Sequence, residues 1–433
     1  MSISLAVRGE ASGPMPLAWG QSAIWMAIER YVPYDHYFNF ARTLVLPDRV
    51  RPAPIPQVTA ALESVVSRHS SLRTRIVPGH DDADVRQLAD GEGRLPVVIG
   101  ADADSLTAQL TAERFDYTAE YPLRVGLVVD GDGKVEAVVL AFCHLAADGH
   151  GAEIVVRDLR LALLGRTGLE PGSVAETVAH QHSARGRAES EAVVGFWAEA
   201  YRRMPASMFP KRRAEPQQVR YWVARLTSPA LELAGQALAA RHRVSTTAVL
   251  MAATAAVVCE DSGQPVAAIL PIVSNRFAPE HRDLVTTLAQ EGLFVLDTAR
   301  AGSFGELVGL AWQASLKAYR VGLCDPRALE AALARVSRER GETVHPYCCF
   351  NDMRLVEPEA RAAPAERVRA AKPLTRLEWA PPQARVNCRF CLHVTSEGEA
   401  MVLQLTGDTA YLPPDRLMGM LSTLEQKILE AVE

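Results

Sequence analysis

His144-Leu145-Ala146-Ala147-Asp148-Gly149 is the stretch whose residue types and spacing best fit a reaction centre. A neutral imidazole, with an ordinary pKa of ~6.5, is suited to accept a proton near pH 7, which makes His144 the candidate general base. Asp148 stands where a loop carboxylate can cap a following helix. Gly149 either admits close backbone approach or is an ordinary turn glycine. Alone, His144 is more readily a core histidine at a strand end than a base, and six residues with three fixed recur by chance. The rest of the chain must therefore supply the cleft.

The flanking elements fit that demand. A continuous apolar run, Val135 to Phe142, follows the turn-like Asp130-Gly131-Asp132-Gly133, and the segment from Ala152 to Leu164 has apolar residues at helical spacing. A buried strand, a short polar loop and a helix would deliver His144 from a strand end. The Tyr121 to Val129 stretch should pair with the apolar run as a hairpin. Upstream, Val58, Ala61, Leu62, Val65 and Val66 form one helical stripe, and Ser105 to Phe115 reads as another helix. Asp81 to Gly93 and Glu357 to Arg385 read as surface excursions, and the polar Gly172 to Ala188 stretch as a domain boundary. In the second half, Val266 to Val273, Tyr347 to Phe350, Val386 to Val394 and Ala400 to Leu405 read as strands. Ser245 and Ser303 are helix caps, and Pro414 to Val432 is a closing helix. Strands and helices intersperse throughout, which predicts an α/β (α+β layered) chain of two sheet-and-helix lobes, 1–185 and 186–433.

The chain has 433 residues, 48 % hydrophobic and 22 % charged, enough for a large core. A formal net charge of −5 argues against nucleic acid as a partner. Met1 to Gly13 lacks a signal-peptide pattern, and Ala248 to Cys259 is too short an apolar helix to span a bilayer, so no membrane partner and a cytoplasmic location are expected. The seven cysteines read as reduced thiols. Cys388-Arg389-Phe390-Cys391 would, as a strand, point its thiols to opposite faces, and no second pair completes a zinc site, so no metal is expected. His180-Gln181-His182 reads as a solvated loop.

Several blocks, in consistent order, resemble the condensation domains of nonribosomal peptide synthetases, in the chloramphenicol acetyltransferase-like acyltransferase superfamily. Leu17-Ala18-Trp19-Gly20-Gln21-Ser22-Ala23-Ile24-Trp25 looks like the family's opening block. Arg68-His69-Ser70-Ser71-Leu72-Arg73-Thr74 is similar to R-H-x-x-L-R-T. Cys143-His144-Leu145-Ala146-Ala147-Asp148-Gly149 matches H-H-x-x-x-D-G with Cys143 in place of the first His. Gly292-Leu293-Phe294-Val295-Leu296-Asp297 echoes a later block, with Leu296 where Asn is usual.

The resemblance implies two acetyltransferase-like lobes in a V around an active-site tunnel, with His144 midway. It implies an acyl or aminoacyl thioester, carried on a carrier protein's phosphopantetheine (or as a coenzyme A thioester), joined to a small-molecule or carrier-bound amine or alcohol. No bound cofactor is implied. Asp148 is expected to pair with an arginine, Arg73 first and Arg276 second; Arg276 and Asn351 are also candidates for second-lobe contacts to the tunnel. Cys143 is expected to shape the site rather than to attack, since neighbours at a strand end face opposite sides. The chain looks free-standing and is expected to be monomeric. The alternatives are an O-acyltransferase of the same superfamily and a silent condensation-like domain that recruits partners.

Overall fold

The apolar run Val135–Phe142 is a strand buried on both faces, which is why it reads as continuous rather than alternating. The computed structural model describes residues 3–77, 85–354, 360–383, 386 and 388–432. Two compact units emerge: one of residues 1–191 with 274–290 and 323–327, the other of 192–273, 291–322 and 328–433. This differs from two contiguous halves meeting at 185/186. The first unit recruits two distant stretches, and residue 191 falls inside the helix Ala184–Arg203. Gly172 to Ala188 is correspondingly not an open linker, because it contains the helix Val174–Gln181, capped by Ser173.

The first unit is built on a sheet in the order Ile3–Arg8, Glu92–Gly100, Leu123–Val129, Val135–Phe142, Phe40–Val45. Leu123–Val129 and Val135–Phe142 pair antiparallel, the hairpin expected from the turn between them. Val135, Val138, Leu140 and Phe142 face the helix Ile55–Arg68, whose stripe Val58, Ala61, Leu62, Val65 and Val66 is buried, and the helix Gly149–Leu163. Ala137, Val139 and Ala141 face Leu106 and Leu110 of the helix Ala103–Thr111. Burying one such side chain contributes roughly 1.5–3 kcal/mol, so the strand carrying His144 at its exit is among the best-anchored pieces of the unit. Residues 81–84 of the expected surface loop lie outside the described residues; Arg86–Ala89 is a strand of a small sheet with Met15–Pro16 and Thr74–Val77.

The second unit has a mixed sheet in the order Val266–Val273, Cys348–Asp352, Phe390–Glu397, Ala400–Asp408, Tyr221–Ser228, Arg376–Gln383, with Phe294–Asp297 also pairing with Val266–Val273. The helices Pro229–His242, Thr246–Ser262, Phe304–Arg320 and Pro414–Glu430 supply its core partners. Ser245 and Ser303 cap the second and third of these, accepting from Ala248 N and Glu306 N. The expected excursion from Glu357 to Arg385 instead contains the helix Ala365–Ala371 and the strand Arg376–Gln383; residues 357–359, 384 and 385 lie outside the described residues. Among the described residues no single helix is long and apolar enough to cross a membrane.

Candidate functional site

His144 leaves the end of the Val135–Phe142 strand, in a loop that three separate pieces of the first unit hold in place. The imidazole is half-buried, and its ring lies 5.4 Å from that of Phe40. The His144 carbonyl accepts a hydrogen bond from the Thr287 hydroxyl, and Nδ1 lies 3.5 Å from Thr287 Oγ1. Because the Thr287 hydroxyl spends its proton on that carbonyl, its oxygen can only accept from Nδ1, which favours the neutral tautomer protonated there and leaves the Nε2 lone pair as acceptor. Burial pulls the imidazole below its ordinary value, against a smaller upward pull from its own backbone and from Asp148. The ring is therefore an unprotonated base at neutral pH.

Asp148 is at once helix cap and ion-pair partner. Its Oδ1 accepts from Gly151 N at 2.7 Å and from Arg276 Nη2 at 2.8 Å; its Oδ2 accepts from Leu288 N at 3.0 Å and Ala289 N at 3.1 Å. Burial works to raise this carboxyl, but the Arg276 charge and these hydrogen bonds outweigh it and hold it below the usual value. Arg276 also donates to the carbonyls of His281 (2.8 Å), Leu284 (2.6 Å) and Thr286 (3.0 Å). One ion pair thus staples the His144 loop to the 274–290 stretch.

Of the two candidate arginines, the second is the partner. Arg73 does not reach Asp148: its guanidinium lies against Gly9 and donates to the carbonyls of Glu10 (2.7 Å) and Asp90. Arg276, expected from the second lobe, belongs to the first unit. The rest of the R-H-x-x-L-R-T block is structural too. His69 Nε2 lies 3.0 Å from Asp158 Oδ2 on the helix after the loop, and Arg68 lies 3.4 Å from the same oxygen.

Cys143 turns away from His144 into a pocket with Ile28, Phe115 and Leu145. Burial pushes its thiol up to about 12, so it stays protonated and packs as a small apolar group. Gly149 opens the helix, and a Cβ there would lie 3.6 Å from the Arg42 guanidinium. Asn351 is half-buried on the Cys348–Asp352 strand of the second unit, and Leu296 is buried in that unit's core. His180 pairs with Glu189 at 3.2 Å on the surface.

Sequence reasoning missed the supports. Gln21 and Gln87 exchange amide hydrogen bonds at 3.0 and 2.8 Å, and Gln21 Nε2 also donates to the Leu145 carbonyl at 3.3 Å. Gly20 lets the helix Trp19–Tyr31 approach the backbone of Thr287 and Leu288; a Cβ there would sit 2.7 Å from Leu288 Cα. Gly20 and Gln21 stand in the opening block, which was the available signal. Thr287 had none. The C-x-x-C thiols also depart from expectation. Cys388 lies before the strand, ahead of a bend at Arg389, so strand alternation does not separate it from Cys391, and Cys349 joins them, all three sulfurs lying within 4.8 Å of one another. Hydrogen bonds from its two neighbours hold the Cys388 thiol well below its ordinary value.

A chain of two α/β units, with a histidine on a strand-to-helix loop of the first, has the chloramphenicol acetyltransferase-like fold of the condensation-domain structures it matches. Residues 12–295 match the model of the condensation domain, and the chain belongs to that family, which serves nonribosomal peptide synthesis. It is 28 % identical over 322 residues, 70 % of this chain, to the probable non-canonical nonribosomal peptide synthetase CymA of Salinispora arenicola, but spans only 4 % of that protein. The condensation domain from the monacolin K polyketide synthase MokA superposes with a TM-score of 0.75 over 98 % of both chains at 14 % identity. The epimerization domain from the third module of tyrocidine synthetase B does so with a TM-score of 0.72, also over 98 % of both chains and at 14 % identity.

Proposed function

We propose that this chain transfers an acyl or aminoacyl group from a carrier protein's phosphopantetheine thioester to an amine or alcohol, with His144 as general base. The observation that carries this reading is the half-buried His144 ring at the exit of a buried strand, with Nδ1 facing Thr287 Oγ1 and Nε2 left as acceptor, on a loop stapled by the Asp148–Arg276 pair. The acceptor's nitrogen or oxygen attacks the thioester carbonyl, His144 Nε2 takes its proton, the C–S bond breaks, and the proton passes to the departing thiolate. Asp148 and Arg276 position the loop and touch no reacting atom. An α-amino acceptor with a pKa of ~8 is partly deprotonated already, so the base matters more for an alcohol.

Intact-protein mass spectrometry of acyl-loaded carrier proteins, incubated with this chain and a panel of amines and alcohols, tests the reading. Loss of the load with matching product, abolished in His144→Ala, supports it. Carrier binding with unchanged loads favours the recruiting alternative, which the buried Cys143 in place of the usual His motivates. Inversion at the acyl α-carbon without transfer would assign the same base to epimerization, the chemistry named for the tyrocidine synthetase neighbour.

A further inference from the structure

We propose that Cys349, Cys388, Cys391 and His393, all of the second unit, form a binding site for a thiophilic d10 cation of the zinc class. The parallel strands Cys348–Asp352 and Phe390–Glu397 place Cys349 opposite Cys391 and Asn351 opposite His393, so Cys349, Cys391 and His393 share one face of the sheet. The other face, with Cys348, Phe350, Phe390 and Leu392, belongs to the core. His393 Nε2 lies 3.8 Å from Cys391 Sγ.

Cys388 completes the group because its neighbour is pinned. Arg389 N and Phe390 N both donate to the Tyr347 carbonyl at 3.1 Å. The Arg389 guanidinium donates to Ser207 Oγ at 3.0 Å and the Phe209 carbonyl at 2.5 Å, and lies over the rings of Tyr347 and Tyr411 at 4.1 and 3.8 Å. Tyr347 has a φ of 53°, a left-handed conformation that a bulky residue adopts only where its surroundings impose it. These contacts set Cys388 so that its sulfur, those of Cys349 and Cys391, all fall within 4.8 Å of one another.

A tetrahedral zinc ion with Zn–S bonds of about 2.3 Å holds its sulfurs about 3.8 Å apart, so the three sulfurs need to close by only about 1 Å at most, and His393, beside Cys391, must swing in as the fourth ligand. Three thiolates and one imidazole make a closed structural set; soft sulfur ligands select zinc-class ions over magnesium or calcium. His345 is no competing ligand through Nδ1, which accepts from Tyr347 N at 2.9 Å. Cys388 and His393 are half-buried, which leaves a route for the ion. Binding displaces the thiol protons and ties the bend before Phe390 to the centre of the sheet.

The test uses the full chain, reduced and then freed of reductant without air. Cobalt(II) titration should saturate at one ion per chain with thiolate-to-cobalt charge-transfer absorption, and zinc(II) should displace it. Cys388→Ser and Cys391→Ser should each weaken cobalt binding by more than the roughly 10–100-fold that losing an outer-shell partner costs. On the unaltered chain, zinc should protect Cys388 from alkylation, a readout that needs no variant to fold. The proposal is overturned by an absent cobalt spectrum, by a spectrum that survives both substitutions, by unprotected Cys388, or by a Cys388–Cys391 disulfide that forms in preference to the zinc complex.

Discussion

Breaking the Asp148–Arg276 pair is the most demanding test of how the His144 loop is held. Both side chains are about 4 % exposed, and Arg276 has three carbonyl acceptors besides the carboxylate. Arg276→Met keeps much of the apolar stem but strands a buried carboxylate, a change that costs about 3–5 kcal/mol. With a urea dependence of about 3 kcal/mol per M, the unfolding midpoint of the first unit should fall by about 1–2 M. Asp148→Asn should cost less, because an amide oxygen can still accept from backbone N–H groups. The decisive quantity is coupling: Asp148→Asn and Arg276→Met, combined, should cost less than their sum by about 2 kcal/mol, whereas Asp148→Asn and Arg73→Met should add within about 0.5 kcal/mol. Urea titration followed by intrinsic fluorescence supplies all these values. Additivity for the Arg276 pair, or coupling to Arg73, would refute the assignment of the brace.

Other outcomes follow from the same geometry. Cys143→Ala should leave transfer within a few-fold of the parent, and native alkylation should spare Cys143, because its thiol is buried and protonated; rapid labelling with loss of activity would restore a catalytic thiol. Gly20→Ala should cost about 1–3 kcal/mol and lower transfer, because the new Cβ meets backbone at Thr287 and Leu288 rather than a movable side chain; a thermal-shift measurement with no change would contradict the close approach. Stability of the first unit should decline in two steps on acidification. His144, His150 and His281 have folded values below the ordinary ~6.5, so the unfolded chain takes up protons first and stability falls as pH drops through that value. Asp148 and Asp158 have depressed folded values, so their contribution is present above ~3.9 and is lost as pH falls through their folded values. Urea midpoints across pH 7 to 3 check both steps, and a flat upper step would contradict the neutral imidazoles.

Much of the first unit was legible because burial leaves periodic marks. The stripe from Val58 to Val66 and the unbroken run from Val135 to Phe142 each reported how many faces the element buries. Where a segment buries little, that signal fades. The helix Pro326–Arg340 buries only Val336 among its described residues and escaped notice. Arg376–Gln383 holds Pro381 and Pro382, tolerated because it pairs on one side only, as an edge strand with an irregular register after Ala380. The site divided along the same line. His144 and Asp148 lie within one motif, but the choice of Arg276 over Arg73 depends on a contact 128 residues away. Cys349 joins Cys388 and Cys391 by strand pairing, which no local spacing reveals.

The central claim is that His144 acts as a base kept neutral by burial. Single-turnover transfer from an acyl-loaded carrier protein to a non-titrating alcohol, or to an amine with rates expressed per free base, isolates that step. The account predicts a rate that rises with pH through one ionisation below ~6.5 and then stays level, with both the limb and the activity gone in His144→Ala. Transfer that survives His144→Ala, or a limb centred above the ordinary imidazole value, would contradict it.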